Sequence, residues 1–172
     1  MIMKILVFSD SHNKTELMES AVCANLNAPA SAGELEAVFF LGDGIRDFDR
    51  LREKFPGPRY AGVLGNCDGY ALLDDGSYEK LVDCGGFRFL LMHGHRHSVK
   101  SGIQRAADYA IAKGADVLLF GHTHEAFDSE IDGSAGGSVR CINPGSVGSW
   151  YGASFALLEI RDGKLLCNIA QG

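Results

Sequence analysis

Hydrophobic residues in this chain fall into short unbroken runs, and five of those runs end in polar residues of a restricted kind. Residues 4–9 lead into Asp10-Ser11-His12, and residues 37–41 into Gly42-Asp43. Residues 60–64 lead into Gly65-Asn66-Cys67-Asp68, residues 87–92 into His93-Gly94-His95, and residues 116–120 into Gly121-His122-Thr123-His124. Runs of this length rich in Val, Ile, Leu and Phe predict buried strands. Five of the six histidines lie just past the ends of these strands.

Between the runs the spacing changes. Asn13 or Thr15 can cap a helix whose apolar positions Leu17, Val22 and Leu26 face one way. Residues 27–33 read as a loop. After the second strand a short helix places Phe48, Leu51 and Phe55 on one side, and Pro56-Gly57-Pro58 stops it. A loop is expected near Asp74-Asp75-Gly76-Ser77. Strands at residues 79–83 and 87–92 are joined through Cys84-Gly85-Gly86, which predicts an antiparallel hairpin. Residues 103–113 predict the clearest helix, with Ser101 as N-cap, Ile103, Ala106, Ala107, Ala110 and Ile111 inward, and Gly114 as the stop. The tail reads as strands at residues 126–131, 139–142, 155–160 and 165–169, with hairpin turns at Asp132-Gly133 and Asp162-Gly163. The pattern predicts one α/β domain over residues 1–172, built as two packed sheets with helices on their outer faces. Ligands of such sheets lie beyond the carboxyl ends of strands, where the five clusters are.

Composition narrows the function classes. A chain of 172 residues can bury a real core, and 46% hydrophobic residues is ordinary for a globular protein. No apolar run approaches the ~18 residues of a membrane span, and the N-terminus lacks a signal-peptide pattern. A cytoplasmic protein with no membrane partner is expected. The five cysteines show no C-x-x-C spacing, so neither a thiolate zinc site nor a disulfide framework is supported. A net charge of -6 argues against an extended nucleic-acid partner. It leaves a phosphate substrate open, because bound cations reverse the local field.

Asp, His and Asn without thiolates form an oxygen/nitrogen ligand set that suits Mn, Fe, Zn, Co or Ni. The clusters offer Asp10, His12, Asp43, Asn66, His93, His122 and His124. A single zinc ion takes about four ligands, so seven suit two ions sharing a carboxylate. Two divalent ions together are a device for hydrolysing phosphate esters.

In this order the motifs resemble those of the calcineurin-like metallophosphoesterases: Asp10-x-His12, Gly42-Asp43, Gly65-Asn66, His93 and Gly121-His122-x-His124. Gly65-Asn66-Cys67-Asp68, His93-Gly94-His95 and Asn143-Pro144-Gly145-Ser146 are similar to the small bacterial and archaeal phosphodiesterase branch. The resemblance covers nearly the whole chain and implies a four-layer α/β/β/α sandwich. It implies that Asp10, His12 and His124 bind one ion, that Asn66, His93 and His122 bind the other, and that Asp43 bridges them. It implies two divalent transition-metal ions, Mn first, with Zn, Fe, Ni or Co as alternatives. The expected reaction is hydrolysis of a small phosphate ester, a diester above all, by a metal-bridging hydroxide. The alternatives are a phosphomonoesterase or nucleotidase of the same chemistry and a non-catalytic interaction scaffold. Relatives often pair, so a homodimer is also an expectation.

Each motif alone has an ordinary reading. Asp10 and Asp43 could be cap or turn residues, and His122 with His124 could be a surface pair. Five such accidents in family order are required to dismiss the site. Cys67 stands where many phosphatases of the superfamily carry a histidine that protonates the leaving group, and a thiol is a poor substitute near neutral pH. His95 could replace that histidine or simply support His93. Arg46 could reach a phosphate oxygen or pair with Asp47, Asp49 or Glu53. The catalytic set read this way is Asp43, Asn66, His95 and Arg46. His97 is expected at the surface. Asn143-Pro144-Gly145-Ser146 is expected to shape the site wall, and Trp150-Tyr151 to stack substrate, to meet a subunit or to pack.

Overall fold

In the computed structural model, residues 2–69 and 76–172 are described; Asp74 and Asp75 of the expected loop lie outside them. Thirteen regular elements follow one another: β1 (Met3–Phe8), α1 (Glu16–Leu26), β2 (Glu34–Phe40), α2 (Ile45–Lys54), β3 (Arg59–Gly62), β4 (Glu79–Cys84), β5 (Phe87–Met92), α3 (Gln104–Ala112), β6 (Val117–Phe120), β7 (Ala126–Asp132), β8 (Ser138–Pro144), β9 (Ser154–Arg161) and β10 (Lys164–Gln171). They form two five-stranded sheets, ordered β10-β9-β1-β2-β3 and β4-β5-β6-β8-β7. Strands β1, β2 and β3 run parallel, as do β5, β6 and β8. The remaining pairs are antiparallel.

The unbroken runs are unbroken because both faces of these strands are covered. On β1, Ile5 and Val7 enter the core between the sheets while Leu6 and Phe8 face the helical side. Phe39 and Phe40 divide in the same way on β2. In the second sheet Phe89, Leu91, Val117 and Leu119 point inward, and Leu90, Met92, Leu118 and Phe120 pack toward α3. Helices α1 and α2 cover the first sheet through Met18, Val22, Phe48 and Leu51. The result is the mixed four-layer sandwich that the patterning and the resemblance both predicted. Among the described residues, no helix is long and apolar enough to cross a membrane.

Four expectations need correction. Leu26, expected on the apolar face of α1, is exposed, and Met18 and Ala21 are buried with Val22 instead. Helix α3 takes Ile103 as its N-cap residue, because Ser101 belongs to a separate 3-10 turn and Gly102 follows at φ 144°. The β7–β8 connection spans residues 133–137, closed by Gly133 N–H to Gly137 O at 2.9 Å, in place of a tight turn at Asp132-Gly133. His97 is largely buried against the Tyr109 ring, 4.6 Å between centroids, with Glu79 3.6 Å from Nε2. Asp162-Gly163 does form the expected two-residue turn, with φ 52° and 71°.

Phe39 is fully buried and meets Phe89 edge-on across the sheets at 5.7 Å. Phe39→Ala should cost about 3–5 kcal/mol in urea denaturation. The exposed Leu166 provides the comparison: Leu166→Ala should stay within about 0.5 kcal/mol.

Candidate metal centre

Because β1, β2, β3, β5 and β6 end at one edge, the five clusters meet there. Backbone hydrogen bonds join their loops: Asp10 N–H to Gly42 O at 2.9 Å, His12 N–H to Asp43 O at 3.3 Å, and Gly121 N–H to His93 O at 3.1 Å. The ligand atoms of Asp10, His12 and His124 lie within 4.8 Å of one another, and so do those of Asp43, His93 and His122. Asn66 joins the second trio, its Oδ1 3.1 Å from His93 Nε2. His93 links the two groups, with Nε2 3.3 Å from Asp43 and 3.9 Å from Asp10. Each group draws on both sheets, since Asp10, His12, Asp43 and Asn66 follow the first sheet's strands and the other three histidines follow the second's.

Aiming so many side chains at one region requires sharp backbone reversals. Asp10, His12, Asp43, His122 and His124 all adopt the left-handed conformation, with φ from 46° to 69°. Asp and His tolerate it better than most residues, but it still costs energy and clusters at functional sites. Two loops also approach very closely: a Cβ at Gly65 would lie 2.1 Å from Asp43 Oδ1. Only glycine admits the Asp43 carboxylate there.

Residues outside the ligand set hold this geometry. Asp68 accepts backbone N–H bonds from Asp43 (2.8 Å), Gly44 (2.7 Å), Ile45 (2.9 Å) and Gly65 (2.7 Å). One carboxylate thus fastens two ligand loops and caps the N-terminus of α2. Buried Asp47 accepts from Ser11 Oγ at 2.6 Å and from Asn13 N–H at 2.9 Å, fixing the loop that carries His12. Ser9 Oγ donates to Asp10 Oδ2. Asn143 Nδ2 donates to Gly121 O at 3.1 Å, and Ser146 Oγ to Asp10 O at 2.8 Å. The Asn143-Pro144-Gly145-Ser146 turn therefore does shape the site wall. A signal for Asp68 was present in its place within the third cluster, but its targets are backbone amides and leave no mark on sequence.

The charges at this edge are badly balanced among protein groups alone. Asp10 is fully buried, and burial pushes its carboxyl up against the opposing pull of His93. Asp43 is also pushed up by burial, but His93 and the Cys67 amide outweigh this and hold it well below the usual carboxylate range. Burial lowers His93, yet Asp43 and Asp10 together leave it raised. Burial, then the neighbouring His93, brings His122 down to about 4, which keeps it neutral and able to ligate. No well-aligned hydrogen bond among the described residues reaches Asp10 Oδ1. Its neighbour His124 Nε2 is 3.2 Å away. The Leu41 carbonyl, 2.7 Å from His93 Nδ1, can only accept, so the proton sits on Nδ1 and Nε2 faces the carboxylates. An orphaned carboxylate oxygen, an oriented imidazole and an amide oxygen converging in one place fit a divalent cation on each trio.

The other candidates are placed unequally. His95 is half-buried, 5.4 Å from the His93 ring and 6.1 Å from His122, and burial lowers its pKa. Arg46 is exposed, and no carboxylate among the described residues pairs with it. It lines a cleft of about 300 Å³ with His12, Asp43, Asp47, Cys67 and Asp68. Cys67 is exposed at the mouth of that cleft, and partial desolvation followed by the nearby Asp43 carboxylate pushes its thiol up to about 11. A second cleft of about 480 Å³ shares His12 and continues past His124 to Trp150 and Tyr151. Neither aromatic packs: they are 86% and 94% exposed. A larger cleft of about 720 Å³, beside Ile2, Leu26 and Pro58, lies at the start of β2, and its wall contains no histidine or cysteine.

Asp68→Asn would turn an amide NH2 toward two backbone N–H donors. We expect divalent-ion affinity, measured by calorimetric titration, to fall about 10- to 100-fold, the range for groups that orient ligands. Because each trio spans both sheets, ions should also clamp them. At a concentration 100 times Kd the gain is about 2.7 kcal/mol per independent site, so a chelator should lower the midpoint of thermal unfolding by roughly 5–10 °C in scanning calorimetry. An unchanged midpoint would count against ion binding at this edge.

Comparison with known proteins gives consistent matches. Residues 3–163 match the calcineurin-like phosphoesterase superfamily domain. The probable metallophosphoesterase YsnB of Bacillus subtilis is 32% identical over 146 residues, covering 84% of this chain and 75% of the relative. Phosphodiesterase MJ0936 of Methanocaldococcus jannaschii is 28% identical over 159 residues, 83% of each chain. Among solved structures, a predicted phosphoesterase from Streptococcus pneumoniae TIGR4 superposes with a TM-score of 0.74 at 24% identity, over 99% of this chain and 90% of that one. Zinc-bound Vps29 from Entamoeba histolytica gives 0.69 at 23% identity, over 98% of both. At such identities the structural matches speak for the fold, while the domain match spans nearly the whole chain, so this protein belongs to the calcineurin-like phosphoesterase superfamily.

Proposed function

We propose that this chain is a dinuclear metal-dependent phosphoesterase acting mainly on phosphodiesters. The observation that carries the reading is the pair of trios joined through His93, whose Nε2 lies 3.3 Å from Asp43 and 3.9 Å from Asp10. Asp10, His12 and His124 would hold one ion, Asn66, His93 and His122 the other, and Asp43 both. When bound, such ions supply Lewis acidity to phosphoryl oxygens and make water acidic enough to ionise near neutral pH.

The chain's own residues do the rest. Asn66 donates through Nδ2 to Cys67 Sγ at 3.2 Å, which turns its oxygen toward His93 and the ion site. Arg46, paired with no carboxylate among the described residues, stands at the cleft wall, where a guanidinium can take a phosphoryl oxygen in a two-pronged contact. Proton delivery to the leaving group is weak. The Cys67 thiol, pushed up to about 11, remains protonated but is a poor acid. Burial, then the neighbouring His93, lowers the pKa of His95, which makes its protonated form less available. Missing general-acid help is worth about 10²–10⁴-fold for a poor leaving group and little for a good one. The phosphodiesterase activity in the name of MJ0936 is consistent with this preference.

The fold is also that of Vps29, a vacuolar protein sorting protein by name, which gives a non-catalytic interaction scaffold as the second reading. One assay series separates the readings. Metal-stripped protein is reloaded with Mn²⁺, Ni²⁺, Zn²⁺ or Mg²⁺ and offered an aryl diester and an aryl monoester. Hydrolysis faster on the diester supports our reading, faster on the monoester supports a nucleotidase-like enzyme, and none with any metal supports the scaffold.

Asp43→Asn should keep the fold, because the amide oxygen can still accept the Cys67 N–H now bonded at 2.7 Å. It should lower kcat by at least about 100-fold at saturating Mn²⁺, a loss consistent with weakened charge stabilisation; near-normal turnover would refute the two-ion assignment. Leaving-group dependence is a separate check. Aryl diesters should turn over faster than alkyl monoesters, and the reverse order would show that an efficient proton donor is present.

A further inference from the structure

Resting on that reading, we propose that Trp150 and Tyr151 form a stacking platform for one esterifying group of the substrate, a planar ring of the nucleobase class. They are the two most exposed large hydrophobic residues of the described chain, adjacent on one loop. The loop is tied to the ligand edge. Gly148 N–H donates to Asp10 O at 3.0 Å, and Val147 N–H to Ser9 O at 3.1 Å. Lys14 Nζ donates to Gly148 O at 2.8 Å and stands 3.5 Å from the centre of the Trp150 ring. Ser149 Oγ donates to Tyr151 O at 2.9 Å, which fixes the tip of the turn. Lys14 covers one face of the indole and, at 86% exposure of the residue, the other remains accessible.

The position of the pair names the ligand. The same cleft, about 480 Å³, is walled both by His12 and His124 and by Lys14, Trp150 and Tyr151. That volume suits a small organic group. The smaller cleft, with Arg46 and Cys67, is also lined by His12. A diester with its phosphorus beside His12, which lines both clefts, would extend one arm into each. The Arg46 arm is polar, whereas the Trp150 arm offers two aromatic surfaces beside an ammonium group, the combination on which bases stack next to a phosphate.

The test uses the metal-loaded protein and the variants Trp150→Ala and Tyr151→Ala, whose exposed side chains contribute little to folding. For a nucleoside 4-nitrophenyl phosphodiester, KM should rise about tenfold or more in Trp150→Ala, the order expected from losing one base stack. The loss should appear in KM rather than in kcat. Inhibition by inorganic phosphate, which has no ring, should keep its constant. Trp150 is the single tryptophan, so its fluorescence gives a readout independent of turnover. Adenosine 5′-monophosphate should quench it at concentrations where ribose 5-phosphate does not. Equal response to both ligands, or an unchanged KM in both variants, overturns the platform. A shift from dimer to monomer in sedimentation with unchanged KM would also overturn it and make the pair a subunit contact. If the wild type hydrolyses no ester, the phosphoesterase reading fails, while the fluorescence comparison still decides the platform.

Discussion

Two carboxylates, Asp10 and Asp43, are buried around a single imidazole at the edge shared by two sheets. Like charges at such range in a low-dielectric setting oppose joint ionisation, and one histidine cannot neutralise both. Most of what surrounds them can be understood as a response to that imbalance. His122 is held neutral by burial and by His93, His93 is pinned in one tautomer by a backbone carbonyl, and one Asp10 oxygen has no well-aligned donor among the described residues. Protons resolve such a cluster poorly. Divalent cations resolve it well and reverse its sign, so an acidic chain can present a positive centre to a phosphate.

The same convergence constrains the backbone. Five ligand candidates occupy left-handed conformations that their side chains disfavour, by roughly 1–3 kcal/mol each for residues in sparsely populated regions. The compensation comes from groups that never reach the centre. Asp68 gathers four amides from two loops, Asp47 secures the loop bearing His12, and Ser146 and Asn143 bind the backbone of the Asp10 and Gly121 turns. Hydrogen bonds to charged groups are worth about 1.5–3 kcal/mol, so Asp68 can offset much of the strain in the loops it joins.

The layers were legible because burial on two faces leaves unbroken apolar runs, and burial on one face leaves alternation, as at β9, where Ala156, Leu158 and Ile160 point inward. The ligand clusters were legible because histidine is scarce and its place after a strand is informative. What escaped has physical reasons. Asp68 and Asp47 act on backbone amides, and every residue but proline has one. The positive φ values depend on how two sheets oppose their loops, a tertiary property with no local pattern. Ser101 looked like a cap because its chemistry permits it, but the turn at Gly102 moved the helix start to Ile103 and Gln104. His97 looked exposed beside Arg96, yet a single 3-10 turn swings it onto Tyr109. The aromatic loop at Trp150 was readable in composition and not in orientation.

The cost of the edge bears on whether the fold is used here as a catalyst or as a scaffold. The inter-sheet core is built from side chains such as Phe39, Phe89 and Leu119, none of which depends on the ligands. A chain that needed only the sandwich as a surface could place glycine or asparagine at the left-handed positions, where they are less strained. It could also replace buried Asp10 with a neutral residue and remove an orphaned oxygen. This chain does neither: its strained positions carry aspartate and histidine, its buried carboxylates both approach His93, and Asp68 is committed to holding the Asp43 and Gly65 loops in place. Such an arrangement lowers stability unless a cation completes it, and it draws each candidate ion's ligands from both sheets. The core then does more than support the fold, because the packing of one sheet on the other sets the distance between the halves of each ion site. Ion binding at either trio would therefore be energetically linked to sheet packing, which a passive surface would not require.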